Sequence, residues 1–286
     1  MTSKHINTAT FIRLRGLIRD CDAAYRLIKK NYSDGICGIP ILWFGDMNRY
    51  LDSKFRVITF GINPSSKEFV GQRFPDAARL VKHCDVDLYE RNYNGYFERN
   101  CYCDWFCGYS DTLAKFNAGF CKRQGRANCA IHIDGLSPIA TSPAWSEARK
   151  NNAALCKRLK NLTQWLFKAM IETCEPDLLV THIGKGWLQK PKEKKRRKKP
   201  REEPTPEKAD AVELDRIPGF ETSQSDEKEF YVYTDSGRRI PVLKIGNTQR
   251  GRPMSATWCD LKRQIEHHRL VLPSDEVTGQ GNDRGK

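Results

Sequence analysis

From Phe11 to Lys30 apolar residues recur at spacings of three and four, so that Leu14, Leu17, Ile18, Cys21, Tyr25 and Ile28 share one side of a helical projection. Arg13, Arg15, Arg19, Lys29 and Lys30 sit mostly elsewhere on it, and the pattern predicts an amphipathic helix. A different pattern follows at Arg56–Phe60, a short apolar run ended by Gly61, which predicts a buried strand. Ala130–Asp134, running into Gly135, predicts a second strand. Pro176–His182, closed by Gly184, and Ile240–Ile245, closed by Gly246, predict a third and a fourth. Helical spacing returns at Asp104–Phe116 and at Ser146–Thr173, where Leu155, Leu159, Leu162, Leu166 and Met170 make the apolar stripe. Ser255–Leu270 reads as the last helix, with Ser255 as its N-cap.

Four short apolar strands separated by helical material predict a three-layer α/β/α fold around a central four-stranded parallel sheet. Ligands of open α/β sheets bind outside the carboxyl ends of the strands. That directs attention to residues 61–75, 134–146, 183–188 and 246–256.

Composition sharpens this picture. The chain has 286 residues, a mean hydropathy of −0.66 and a net charge of +14, which points to a polyanionic partner. No apolar run approaches the roughly 20 residues of a membrane helix, and the start, MTSKHINTAT, has no secretion-signal core. Eleven cysteines, an odd number in a chain this long, argue against a disulfide framework and for a reducing compartment. Lys190–Arg201 carries nine Lys/Arg against one Glu, a local charge of +8. Glu202–Phe230 carries ten Asp/Glu against three Lys/Arg, or −7, so the remaining chain keeps +13. Four prolines from Pro191 to Pro206 and little apolar content predict that residues 190–230 are a disordered or weakly ordered insertion. One domain is then expected over 1–189 and 231–272, with a flexible tail at 273–286.

The segment Gly61-Ile-Asn-Pro64 carries the most chemistry. A strand ending in glycine, followed by Asn63 and a stiffening proline, would hold one amide at the sheet's carboxyl edge. An amide does not accept a proton near neutral pH, but it orients a water by accepting its hydrogen bond. That suits hydrolysis through a cationic, oxocarbenium-like transition state, which needs a placed nucleophile. A plain Asn-Pro turn, with Asn63 satisfying nearby backbone, would leave the same sequence trace.

Gly61-Ile-Asn-Pro64 resembles the first motif of the uracil-DNA glycosylase superfamily, closest to the mismatch-specific uracil and thymine DNA glycosylases. Arg73-Phe74 resembles the Asn-Arg-Phe of those enzymes, and Asp177–Gly184 their third strand and its glycine. Val242–Ser255 resembles their second motif, where a polar residue after the last strand leads into a minor-groove wedge. The resemblance covers roughly residues 40–188 and 240–270. It implies that Asn63 positions the attacking water and that Asn247 donates to the departing base. The sequence departs from the pattern at Ser65, which stands for a glycine, and at Gln249-Arg250-Gly251-Arg252, which stands for an apolar wedge. The Asp85–Cys129 region and the charged insertion are additional.

On this reading Asn63, Asn247 and Asp134 are the candidate catalytic residues. Asp134 would activate water or read an exocyclic group, or else bond its own turn at Gly135. Ile62, Ser65, Phe69, Phe74 and Trp145 are candidates for the base pocket. Ser66, Thr248, Gln249, Arg250, Arg252 and Ser255 are candidates for DNA contact. The expected activity is that of a monofunctional DNA glycosylase that flips a non-standard base and leaves an abasic site. Its substrate is open between glucosylated hydroxymethylcytosine in viral DNA, the target of an anti-phage branch, and uracil or mismatched thymine. A catalytically idle DNA-binding module of the same fold, or a nucleotide-binding α/β enzyme, are the rival classes; the latter lacks a phosphate loop, since Gly184-Lys-Gly186 is too short. The expected partner is double-stranded DNA, with no membrane contact, for a monomer in the bacterial cytoplasm or a eukaryotic nucleus, the run Lys194–Lys199 being open as a nuclear signal. No cofactor or metal is expected. Cys101, Cys103, Cys107 and Cys121 lack familiar zinc or iron–sulfur spacing and read as buried free thiols. His132 reads as a satisfied core residue, and His267 and His268 as partnerless on the last helix.

Overall fold

The computed structural model describes residues 3–69, 73–101, 104–184, 188, 217, 219–225, 228–249, 252–254 and 256–272. In chain order the helices are α1 (Ser3–Asn31), α2 (Met47–Leu51), α3 (Ala77–Leu80), α4 (Val86–Asn94), α5 (Tyr96–Arg99), α6 (Asp104–Cys107), α7 (Ser110–Ala114), α8 (Trp145–Asn151), α9 (Ala153–Cys174) and α10 (Trp258–His268). The strands are β1 (Ile36–Cys37), β2 (Val57–Gly61), β3 (Ala118–Gly119), β4 (Asn128–Asp134), β5 (Ala140–Thr141), β6 (Leu178–Thr181), β7 (Phe220–Ser225), β8 (Lys228–Asp235), β9 (Arg238–Lys244), β10 (Gly246–Gln249) and β11 (Arg252–Met254).

The four anticipated strands are neighbours in one parallel array, ordered β4-β2-β6-β9. The sheet is larger than anticipated, however, with seven strands in the order β3-β4-β2-β6-β9-β8-β7. Short β3 extends one edge in parallel, and the antiparallel hairpin β7–β8 extends the other. This hairpin corrects the reading of 190–230 as a disordered or weakly ordered insertion in its last part, where Phe220–Ser225 and the start of Lys228–Asp235 are strand. Charged residues mask the alternation there, yet Phe230, Tyr231, Val232 and Tyr233 are buried, and Phe220 packs 5.2 Å from Phe60 and 5.0 Å from Tyr233. Residues 190–216 and 273–286 lie outside the described residues. Between β8 and β9, Ser236 (φ 45°) and Gly237 (φ 84°) make the two-residue turn that matches the twist of paired strands.

Helix boundaries also shift for local reasons. The Ser146–Thr173 pattern is two helices, because Asn152 leaves helical geometry and its side chain accepts from Leu155 N, capping α9. The Asp104–Phe116 pattern is likewise α6 and α7. The last helix starts at Trp258 with Thr257, not Ser255, as N-cap. In β2, Phe60 points to α9, where it meets Phe167 at 5.8 Å, while Thr59 and Gly61 point to the opposite face with His132. α1 packs on α9 with all six predicted apolar residues buried. The 85–129 region supplies α4–α7 and an aromatic cluster in which Tyr96, Phe97, Phe106 and Phe120 meet Phe44 and Phe74. Where β8 no longer pairs with β9, the Gln264 carboxamide bonds both Lys244 N (2.8 Å) and Lys244 O (3.0 Å), continuing the ladder.

Leu179 sits fully buried in β6 between β2 and β9, whereas Thr222 is exposed on the edge strand β7. Leu179→Ala is expected to cost about 3 kcal/mol in urea unfolding and Thr222→Ala under about 1 kcal/mol. Equal losses would mean that the parallel array is not the stabilising core.

Candidate active site

The chain leaves β2 toward β4 on one side, whereas β6, on the other side of β2, leads away to β9. The connections out of β2 and β6 therefore run in opposite directions, the topology that places ligands at the carboxyl edge of open α/β sheets. Gly61, the last residue of β2, pairs in register with Asp134, the last of β4. The following turns are tied together, since Gly135 N donates to Gly61 O (3.0 Å) and Leu136 N to Ile62 O (2.9 Å). Thr181 Oγ1 donates to Phe60 O at 2.9 Å, fixing the end of β6 to the same place.

Gly61 is required by its neighbours rather than by its backbone angles. A Cβ there would stand 2.7 Å from Asp134 Oδ1 and 3.0 Å from His132 Nε2. His132 Nε2 is itself 3.6 Å from Asp134 Oδ1, and its Nδ1 is 2.8 Å from Thr59 Oγ1. Both residues are buried. Burial holds the Asp134 carboxyl above the usual carboxylate range, with His132 partly offsetting it. On β6, His182 follows directly, with Nδ1 2.6 Å from the Tyr109 hydroxyl. Burial, helped by the neighbouring His132, pushes the His182 pKa down to about 4. Trp105 lies edge-on to both imidazoles, 5.2 Å from His132 and 5.0 Å from His182. Glu68 is a second buried carboxyl, bonded by the Tyr96 hydroxyl and 3.5 Å from Arg73 Nη1. Burial raises its pKa, against the pull of Tyr96 and Arg73 and with a further push from Asp134.

Asn63 is half-buried beside this group. Its Nδ2 donates to Pro64 O at 3.0 Å, which fixes the amide, and its Oδ1 accepts no hydrogen bond among the described residues. Ile62 is half-buried, while Ser65 and Ser66 are exposed, Ser65 Oγ accepting from Lys67 N at 3.2 Å. Of the three rings expected in a pocket, only Phe69 stays partly open, 5.6 Å from Phe74. Phe74 is buried against Phe44 and Tyr96, and Trp145 is buried at the start of α8; both are core side chains. Asn247, Thr248 and Gln249 lie on β10 and Arg252 on β11, a hairpin that continues directly from β9 and packs along α6. Its backbone therefore shares the carboxyl edge with Asn63 and Asp134. Arg250 and Ser255 lie outside the described residues.

His132, His182, Glu68, Trp105 and Tyr109 were not marked as site residues by sequence. The legible trace was a polar residue at or just past the end of each apolar strand, as at Asp134 and His182. His267, read as partnerless, stacks on Phe230 with centroids 3.7 Å apart. Cys101 and Cys121, read as free thiols, are joined in a disulfide that ties the α5 end to β3. No group of three His, Cys, Asp or Glu among the described residues is arranged to hold a metal ion. No described helix is long and apolar enough to cross a membrane. Neither of two cavities is lined by the residues of this corner. One of about 470 Å³ lies at the opposite edge, between Phe55, Asp177, Arg239 and His268; one of about 330 Å³ lies between α7 and α10. No family model matches the chain, and no curated protein or solved structure matches it.

Chemically, this carboxyl edge carries an amide fixed by Pro64 O at Asn63 and a buried carboxyl of raised basicity at Asp134, groups of the kinds that hold a water and take its proton. Gly61→Ala is expected to cost about 1–3 kcal/mol by pushing on Asp134 and His132, read as a lower urea midpoint at unchanged slope. His182 gives a second test. Its folded pKa of about 4 lies below the ordinary 6.5, so the unfolded chain binds the extra proton first as pH falls. Stability should drop by about 3 kcal/mol between pH 6.5 and 4 and then level off. His182→Asn should flatten that limb, and an unchanged acid limb would contradict the buried neutral imidazole.

Proposed function

We propose that this chain is a DNA glycosylase that hydrolyses the N-glycosidic bond of an everted, non-standard base. The observation that carries the reading is that Asn63, whose Oδ1 has no partner among the described residues, follows two residues after Gly61, which pairs in register with the buried Asp134 at one carboxyl edge. The base must leave the stack before the bond is reachable, at a cost of a few kcal/mol offset by contacts in the site. The C1′–N bond then lengthens and its electron pair leaves with the base, while positive charge builds on the sugar. A preorganised carboxylate at Asp134 stabilises that cation, and a water held by Asn63 Oδ1 adds its oxygen to C1′. Asp134 takes the water's proton, and Asn247 on β10 donates to the departing base. No lysine occupies the Asn63 position, so free water rather than a Schiff base resolves the reaction.

The substrate class favoured is a modified cytosine, such as glucosylated hydroxymethylcytosine in viral DNA, because the details that accompany uracil reading in the resembled enzymes are altered here, with Ser65 standing for a glycine. Uracil or a mismatched thymine is the close alternative. A second reading is a DNA-binding module of this fold without catalysis, favoured by the core placement of Phe74 and Trp145, two of the three rings expected in a base pocket. The net charge of +14 supports double-stranded DNA as partner under both.

Duplexes carrying glucosylated hydroxymethylcytosine, uracil or a thymine mismatch, treated with the protein and then alkali, separate these outcomes. Strand breaks are expected on the modified cytosine, reduced at least 100-fold in Asn63→Ala and strongly in Asp134→Asn, with both variants folded by urea titration. Salt-sensitive binding without breaks on any duplex would support the idle module instead.

A further inference from the structure

We infer that the cavity between α7 and α10 is a second nucleic-acid site, which captures a single unpaired base of the bound DNA next to the catalytic corner. This rests on DNA being the partner, but not on catalysis. The cavity, about 330 Å³, has Asp111, Thr112 and Lys115 on one wall and Ala256, Trp258 and Leu261 on the other. That volume suits a small planar ligand. Three features give it chemistry rather than mere space. Trp258 is 51% exposed, an aromatic face left open to solvent. Lys115 Nζ hovers 4.6 Å from the centre of its ring. Thr112 is 1% exposed, and its Oγ1 is buried without a hydrogen-bond partner among the described residues.

A buried hydroxyl with no partner is costly, and although Thr112 Oγ1 is closed off from the cavity in the free protein, a small shift of α7 on binding would let an edge-on base partner it. A flat indole at the mouth provides the stacking surface on which single bases are commonly held. The ammonium over the ring is held by a weak contact at an exposed position, so an arriving base displaces it and leaves it free to meet the adjoining phosphate. Lys115 thus shields the indole in the free protein and changes partner in the complex. The location ties this cavity to the proposed reaction. Thr112 stands three residues beyond Tyr109, which bonds His182 at the catalytic corner, and Trp258 follows four residues after Met254, the end of the rim hairpin. A glycosylase that everts one nucleotide disturbs its neighbours, and a receptor for a displaced base beside the corner would hold the duplex open.

Fluorescence anisotropy on the full chain tests this with three labelled duplexes at one salt concentration: fully paired, with a one-nucleotide bulge, and with an abasic bulge of equal length. The wild type is expected to bind the base-bearing bulge about tenfold more tightly than the abasic bulge. Trp258→Ala should bring that ratio within twofold, and Trp258→Phe should keep part of it, which excludes misfolding as the cause. Equal binding of both bulges by the wild type would overturn the second site while leaving DNA binding intact. A preference kept in Trp258→Ala but lost in Asn63→Ala would put the base in the catalytic corner and also overturn it. No binding to any duplex would defeat this inference together with the glycosylase reading.

Discussion

The arrangement depends on one close approach, the space that Gly61 leaves for Asp134 and His132. Parallel register sets Gly61 beside Asp134, and the missing side chain lets a carboxylate and an imidazole fold in over the end of β2. Any larger residue would force the polar pair outward and uncouple the β2 turn from the β4 turn. Because Gly135 and Leu136 donate to the carbonyls of Gly61 and Ile62, the same contact fixes the backbone from which Asn63 projects. Charge chemistry at this edge is thus a consequence of sheet register, not of a mobile loop.

The surroundings explain why the polar group is tolerated. Trp105, Phe106 and Tyr109 close over His132 and His182 and strip them of water, which raises the Asp134 carboxyl and lowers His182. Such opposed shifts cost stability, in opposite pH directions. The buried carboxyl destabilises the fold as pH rises through its raised pKa, and the buried imidazole does so as pH falls below the ordinary histidine value. A protein gains nothing in folding from either, so their shared location at a strand edge reads as a site.

Much of the scaffold was legible because continuous apolar runs ending in glycine have few structural meanings. Val57–Gly61, Asn128–Asp134, Leu178–Thr181 and Arg238–Lys244 all lie within a residue or two of the predicted strands, and their adjacency follows from the alternation with helices. The β7–β8 hairpin was hidden because Glu221, Asp226, Glu227 and Glu229 imitate a disordered tract, while among the described residues Phe230–Tyr233 are buried and Phe220 is partly so. The helix break at Asn152 was hidden for the opposite reason: the apolar stripe runs on across a cap. In the site, Asn63 and Asp134 were visible as polar residues at strand ends. Glu68, Trp105 and Tyr109 were not, since they reach the corner from segments whose spacing speaks only of packing, and Phe74 and Trp145 went the other way, into the core.

The most direct test of the account is a structure of the protein on a duplex whose modified cytidine carries a 2′-fluorine, which destabilises the cationic transition state and so preserves the bond. The account predicts an everted nucleoside at the carboxyl edge of β2 and β4, its C1′ facing a water bound to Asn63 Oδ1 with the Asp134 carboxylate alongside. A duplex bound with its bases fully stacked, or seated at the opposite edge near Phe55 and Arg239, would contradict it.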